Sequence, residues 1–274
     1  MVNNISEKNS GGILLSDETS ATHHNLIIGN LVRDNPFDCG ITLASHSPAP
    51  SSGLTSPPGI YGNTIAKNES SRNGLQVPGA GAGVGLFAPG PGNKVYANVV
   101  INNELKDNGL PGVAMHNHAV SPTGIPSVNL NDNVIVGNHI SGNGPDTDDA
   151  ATPGRTGINV FGLASITGTL ITGNVIENEA DDIVAKTPGQ VNVHLNDLLG
   201  GDMNIGVDNI GTGTVDATEN WWGCPQGPDK DGCTTVSGAV TFTPWLRHPI
   251  PKISALENDD KGNQGDDQGN NAER

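Results

Sequence analysis

The chain of 274 residues has little of several things. Aromatics are scarce, with four Phe, three Trp and two Tyr, so a core has to be built from Val, Ile, Leu and Ala. Basic residues are few: 13 Lys and Arg stand against 29 Asp and Glu, a formal charge of −16. Such a chain lacks the basic stripe on which phosphate binding depends, which excludes nucleic acid as an expected partner. The same sign disfavours docking on an anionic membrane surface. No apolar run approaches the roughly 18 residues that span a bilayer, so no membrane insertion is expected. Met1 to Glu7 has neither the basic nor the apolar region of a signal peptide.

Gly and Asn are abundant instead. The 38 Gly and 32 Asn make up about a quarter of the chain. Both are poor in helix interiors and good at turns, which opposes a helical protein and leaves either disorder or a turn-rich β fold. Periodicity decides between them. The unit Asn-x-aliphatic-x-x-Asn recurs at Asn30–Asn35, Asn63–Asn68, Asn98–Asn103 and Asn138–Asn143. A loose copy stands at Asn4–Asn9, and a copy at Asn174 reaches Glu179 in place of the second Asn. Read this way, the intervals between copies are 26, 33, 35, 40 and 36 residues. A second element, Gly-aliphatic-x-aliphatic, follows each copy, at Gly12, Gly40, Gly83, Gly112 and Gly157; Asp182-Ile183-Val184-Ala185 keeps the alternation without the Gly. The period of two means strand. Short strands with Asn and Gly corners, repeating every few tens of residues, describe a parallel β-solenoid whose stacked coils share one core. Asn is expected at left-handed corners, its amide bonded to the Asn of the next coil.

These elements resemble the right-handed parallel β-helix proteins, the bacterial extracellular and periplasmic branch of the pectate-lyase-like superfamily. The resemblance covers residues 2–245, and Asn220-Trp221-Trp222-Gly223 is similar to the terminal coil of that group. It implies an all-β, right-handed parallel β-helix of about six to seven coils. The expected organisation is repeats over 1–220, a terminal coil and cap over 221–250, and a disordered acidic tail over 251–274. No cap precedes the first repeat, so upstream coils of a longer chain are expected. The architecture hosts lyases, epimerases, hydrolases, adhesins and copper-chaperone-like proteins, and does not itself name an activity.

The candidate chemistry lies on the second element. With Ile13/Leu15, Ile41/Leu43, Val84/Leu86, Val113/Met115, Ile158/Val160 and Ile183/Ala185 inward, the outward column is Ser16, Ala44, Phe87, His116, Phe161 and Lys186. Aromatic rings with a His and a Lys on one face suit stacking of sugar rings; alternatively, loop 119–128 or 144–156 folds over them. His118 points to the same face as His116. Asp146, Asp148 and Asp149, with Asp182 one coil on, are oxygen ligands of the kind that hold Ca²⁺, or a solvated acidic loop. Cys224 and Cys233, with eight residues between them across Pro225, Gly227, Pro228 and Gly232, suit a local disulfide and an oxidising compartment, extracellular or periplasmic. Cys39 is left over. The leading expectation is polysaccharide binding along this face. The alternatives are a polysaccharide lyase or epimerase acting on an acidic glycan, which the scarcity of Lys and Arg opposes, and a non-catalytic structural or adhesion repeat.

Overall fold

The computed structural model describes residues 1–117, 127–200 and 203–251. Residues 252–274 of the acidic tail expected to be disordered, His118 and most of loop 119–128 lie outside them. Among the described residues there is no α-helix, and no helix long and apolar enough to cross a membrane. All pairing between the strands is parallel, consistent with a β-solenoid.

Three long sheets run the length of the chain. The first has eight strands: Ile13–Ser16, Ile41–Ala44, Val84–Phe87, Val113–Asn117, Thr156–Gly162, Asp181–Lys186, Ile205–Asn209 and Thr235–Gly238. The second, also eight-stranded, begins at Leu26–Ile28 and ends at Val240–Thr241; the third has seven strands, from Ile5–Glu7 to Asp197–Leu198. A three-stranded sheet, Thr22–His23, Ile60–Tyr61 and Val95–Tyr96, forms a further side over the first coils. The register of the first sheet is the one the alternation predicts: Ile13 faces Ile41, then Val84, Val113, Ile158 and Ile183. These residues are buried and share one core with Ile27, Ile65, Val100 and Ile135 of the second sheet and Val32, Leu105, Ile140 and Ile176 of the third. Each coil alone would expose this apolar stripe, and stacking buries it.

The corners are tied by asparagine, in three columns rather than two. One runs Asn4, Asn30, Asn68, Asn103, Asn138, Asn174, Asn196, Asn220. A second runs Asn25, Asn63, Asn98, Asn133, and a third Asn9, Asn35, Asn73, Asn108, Asn143. The pattern is the same at every step but the first of the third column: the backbone N–H and the Nδ2 of one Asn both donate to the Oδ1 of the next, as Asn68 does to Asn103, 2.9 Å each, whereas Asn9 gives Asn35 only its N–H and turns its Nδ2 to Ser6 Oγ. The repeat intervals read from the sequence need correcting. Asn30 stacks on Asn68 and not on Asn63, so the units Asn63–Asn68 and Asn98–Asn103 were set one five-residue step out of register. The true spacings along the longest column are 26, 38, 35, 35, 36, 22 and 24 residues. The left-handed backbone also falls elsewhere. It belongs to the residue before the ladder Asn: Lys67 (φ 53°), Ala97 (φ 52°), Asn102 (φ 55°) and Leu195 (φ 56°) among others. Turning the chain one residue early leaves the Asn with both its donors aimed along the stack.

At the far end Trp222 takes the inward place that Leu198 holds one coil earlier, and Val236, Val240, Phe242 and Trp245 pack against it as a lid on the core. A Cys224–Cys233 disulfide closes the loop beneath, and Cys39 is free and buried. Trp245 Nε1 donates to the Pro225 carbonyl at 3.3 Å and its ring lies over Gly227, so Trp245 holds that loop.

Candidate functional site

The outward column forms in the expected register: Phe87 beside His116, His116 beside Phe161, Phe161 beside Lys186. The His116 ring meets Phe87 and Phe161 edge to face, 5.5 Å from each, and Lys186 Nζ lies 5.4 Å from the Phe161 ring centre. The column is not an open strip. The loop between Gly144 and Thr156, closed at its neck by the Pro145–Arg155 bridge, folds down onto it. His116 and Phe161 are each only 2% exposed. The expectation of an exposed stacking face over all four coils is therefore corrected; Phe87 and Lys186 alone are partly accessible.

The sheet clamps this loop through polar contacts. His116 Nε2 donates to Asp146 Oδ2, and Asn159 Nδ2 donates to the same oxygen at 2.9 Å. The backbone N–H of Asp148 donates to Asp146 Oδ1, and Asp146's own N–H donates to Thr152 Oγ1 at 2.7 Å. On the far side Lys186 Nζ donates to the carbonyls of Asp149 and Ala150, at 3.3 and 2.8 Å. Arg155 donates to the carbonyls of Asn143 and Asn178. Both basic side chains near this surface are thus engaged on backbone oxygens.

The acidic residues do not form the Ca²⁺ site that their spacing suggests. Asp146 is buried against His116, whereas Asp148 is half exposed, with its Oδ2 3.8 Å from His116 Nδ1. Asp182 belongs to another environment. It pairs between Gly157 and Gly206, the position that is Gly in the other coils, and its side chain enters the tube. Among the described residues no three His, Cys, Asp or Glu converge on a metal.

Two clefts open beside the outward column. One, of 220 Å³, is lined by Phe87, His116, Asp38, Asp148, Gly79 and Leu110. The other, of 250 Å³, lies between Phe161, Leu163, Lys186 and Ile210. Each is smaller than the roughly 300–1,000 Å³ of drug-sized sites, which suits a group the size of one ring. Cys39 opens onto the first cleft, where burial pushes its thiol up to about 12, so it is protonated and inert at neutral pH.

Asp182 is one of several carboxyls buried around this coil. Glu179 ends the third Asn column, accepting from the N–H and Nδ2 of Asn143 on Oε1. Its Oε2 and Oδ1 of Asp208 have no hydrogen-bond partner among the described residues, and Asp182 has only a weak approach from the Gly200 backbone N–H. Burial pushes Glu179 up to about 7 and Asp181 to about 6, and holds Asp182 well above the usual carboxylate range, with Glu179 and Asp181 repelling its charge. Burial thus penalises the charged forms, and the fold retains protons that the unfolded chain releases. The stability these carboxyls allow is full only below about pH 3.8, the ordinary value of the two Asp, and below about pH 4.5 for Glu179. For Glu179 it falls as the pH climbs to about 7 and is level above, a loss of about 3 kcal/mol. Glu179→Gln keeps an oxygen for Asn143 and removes the titration. It is expected to raise the melting temperature at pH 8 and flatten the parent's decline between pH 5 and 8; an unchanged slope would locate that decline elsewhere.

Comparison with protein-family models, curated proteins and solved structures finds no match to this chain. One surface feature escaped the sequence reading. His23, Tyr61 and Tyr96 stack in successive coils, with centroids 5.0 and 5.1 Å apart. The available signal was their constant offset, each two residues before an Asn of the second column, Asn25, Asn63 and Asn98.

Proposed function

We propose that the chain is a non-catalytic binding module on a right-handed parallel β-helix of the pectate-lyase-like architecture, working outside the cytoplasm. Polysaccharide is taken up in the cleft at the rim of the clamped loop, not along the bare sheet. The right hand follows from the strong bias of crossovers between parallel strands. The Cys224–Cys233 bridge supports an extracellular or periplasmic setting. The observation that carries the reading is the partly exposed Phe87 ring in a cleft whose other walls carry Asp38, Asp148 and His116. An aromatic surface beside carboxylates that accept hydroxyl hydrogens suits a neutral sugar ring. The same carboxylates repel a uronate. A lyase or epimerase acting on an acidic glycan also needs a basic side chain at the reacting carbon, and Lys186 and Arg155 are tied to backbone carbonyls. A further β-helix coil is a second partner that fits, since the first strands of the first and third sheets each leave one edge unpaired among the described residues.

The burial of Phe161 favours a second reading, a structural or adhesion repeat in which the column only anchors the loop. A glycan array on the intact chain separates the two, with unsaturated uronates monitored in solution. The binding reading expects a neutral glycan retained by the parent, at least tenfold weaker binding by Phe87→Ala, and no uronate product. No retained glycan at all would leave the structural reading. In either case Phe161→Ala is expected to cost about 3–5 kcal/mol and several degrees of melting temperature, because the ring is enclosed by the loop.

A further inference from the structure

The residues His23 and His24 lie outside the clefts and the clamped loop, on the exposed start of the small sheet. Their Nδ1 atoms are 2.8 Å apart, and their rings are nearly perpendicular, at 87°. We propose that this pair is a surface chelate for a divalent transition metal that prefers cis nitrogen donors in a square plane, Cu²⁺ above all.

The geometry is built by the fold. His24 is the left-handed corner residue (φ 54°) that precedes Asn25. Asn25 is fixed by two 2.9 Å bonds to Asn63 Oδ1, and the His24 N–H donates to the Tyr61 carbonyl at 3.3 Å. The ring of His24 places Nε2 over Gly62, where a Cβ would lie 3.2 Å away, so Nδ1 is the atom turned toward its neighbour. His23 is oriented by stacking on Tyr61, 5.0 Å away with the planes 10° apart, and Tyr61 stacks in turn on Tyr96. Neither ring has to be gathered from solution.

The separation selects the metal. Two nitrogens each ~2.0 Å from a metal lie ~2.8 Å apart when they subtend a right angle and ~3.3 Å apart at a tetrahedral centre. The observed spacing is that of cis positions in a square-planar, tetragonal or octahedral site rather than a tetrahedral one, and among the metals that take such sites the order of affinities places Cu²⁺ first. Since no third His, Cys, Asp or Glu among the described residues joins the pair, water completes the coordination. In the metal-free protein one Nδ1–H donates to the other ring. On binding, both rings carry their proton on Nε2 and both Nδ1 lone pairs go to the metal.

The test is titration of the full chain with Cu²⁺, read by calorimetry and by the nitrogen couplings in the electron paramagnetic resonance spectrum. The parent is expected to show one site with two imidazole nitrogens. His24→Ala should retain one nitrogen and bind about tenfold or more weakly. His23→Phe should do the same while keeping the stack on Tyr61, which guards against a loss caused by disordering. His139→Ala, an exposed His bonded to Glu177, should bind as the parent does. The proposal is overturned if His24→Ala binds Cu²⁺ as the parent does, or if the parent binds no more tightly than the His23→Ala/His24→Ala double variant; the pair is then only a hydrogen bond between rings.

Discussion

Ile158→Asp is expected to unfold the protein. Ile158 is fully buried in the first sheet, with Val113 on one side and Ile183 on the other, at the middle of the continuous apolar stack. Removing its side chain forfeits about 2–5 kcal/mol of packing. The carboxylate that replaces it has no cation or donor within the core, and the remaining penalty for a buried charge is several kcal/mol. Together these match the roughly 5–15 kcal/mol by which a domain is stable. Leu14→Asp is the control: Leu14 lies on a strand of the same sheet but faces outward and is 63% exposed, so it should fold as the parent does. Circular dichroism and solubility after expression decide it. A soluble, folded Ile158→Asp protein would mean that the alternation of this sheet is inverted.

Asn103→Leu comes next in expected effect. Leucine keeps the branched four-heavy-atom outline and removes the amide. Asn103 Oδ1 accepts from the N–H and Nδ2 of Asn68, and its Nδ2 donates to the Ile65 carbonyl and to Asn138 Oδ1, all at 2.9 Å. The substitution orphans two donors and a carbonyl in a buried corner, at about 1–3 kcal/mol each. A loss of about 4–6 kcal/mol in urea unfolding is expected. At the exposed start of the same column, Asn4→Leu should cost under about 1 kcal/mol, since little is left buried without a partner. Equal losses at the two positions would show that the ladder does not tie the coils together.

The sequence made the core of this fold legible because the coils repeat a period-two pattern at a fixed distance from a Gly. That alone set Val84 against Val113 and Val113 against Ile158. Two things were not legible. The residues that take the left-handed corner conformation are Lys67, Arg72, Ala97 and Leu195 as readily as Gly29, so composition carries no mark of the turn. With no mark on the preceding residue, the conspicuous Asn reads as the turn, and the second Asn column merges with the first because Asn63 and Asn98 read as the opening of the two-Asn unit. The descent of the loop onto Phe161 was equally hidden. Whether a loop lies over a sheet or projects from it depends on a few contacts distant in sequence, here His116 to Asp146 and Lys186 to Ala150, which no local period announces. Asp182 left a clear trace as the missing Gly of its strand, yet that trace records only a change of side chain and not the direction the new one takes.

The steps of the asparagine column, between 22 and 38 residues long, all advance the stack by one strand spacing, about 4.8 Å. Contour length and physical length are therefore uncoupled: the tube counts corners, not residues. A segment inserted between two corners alters the outline of one coil and leaves the height of every other coil unchanged. The molecule behaves as a graduated rod on which attachments of different size can be exchanged at marked heights. The spacing between any two of them is set by how many asparagines stand in the column between.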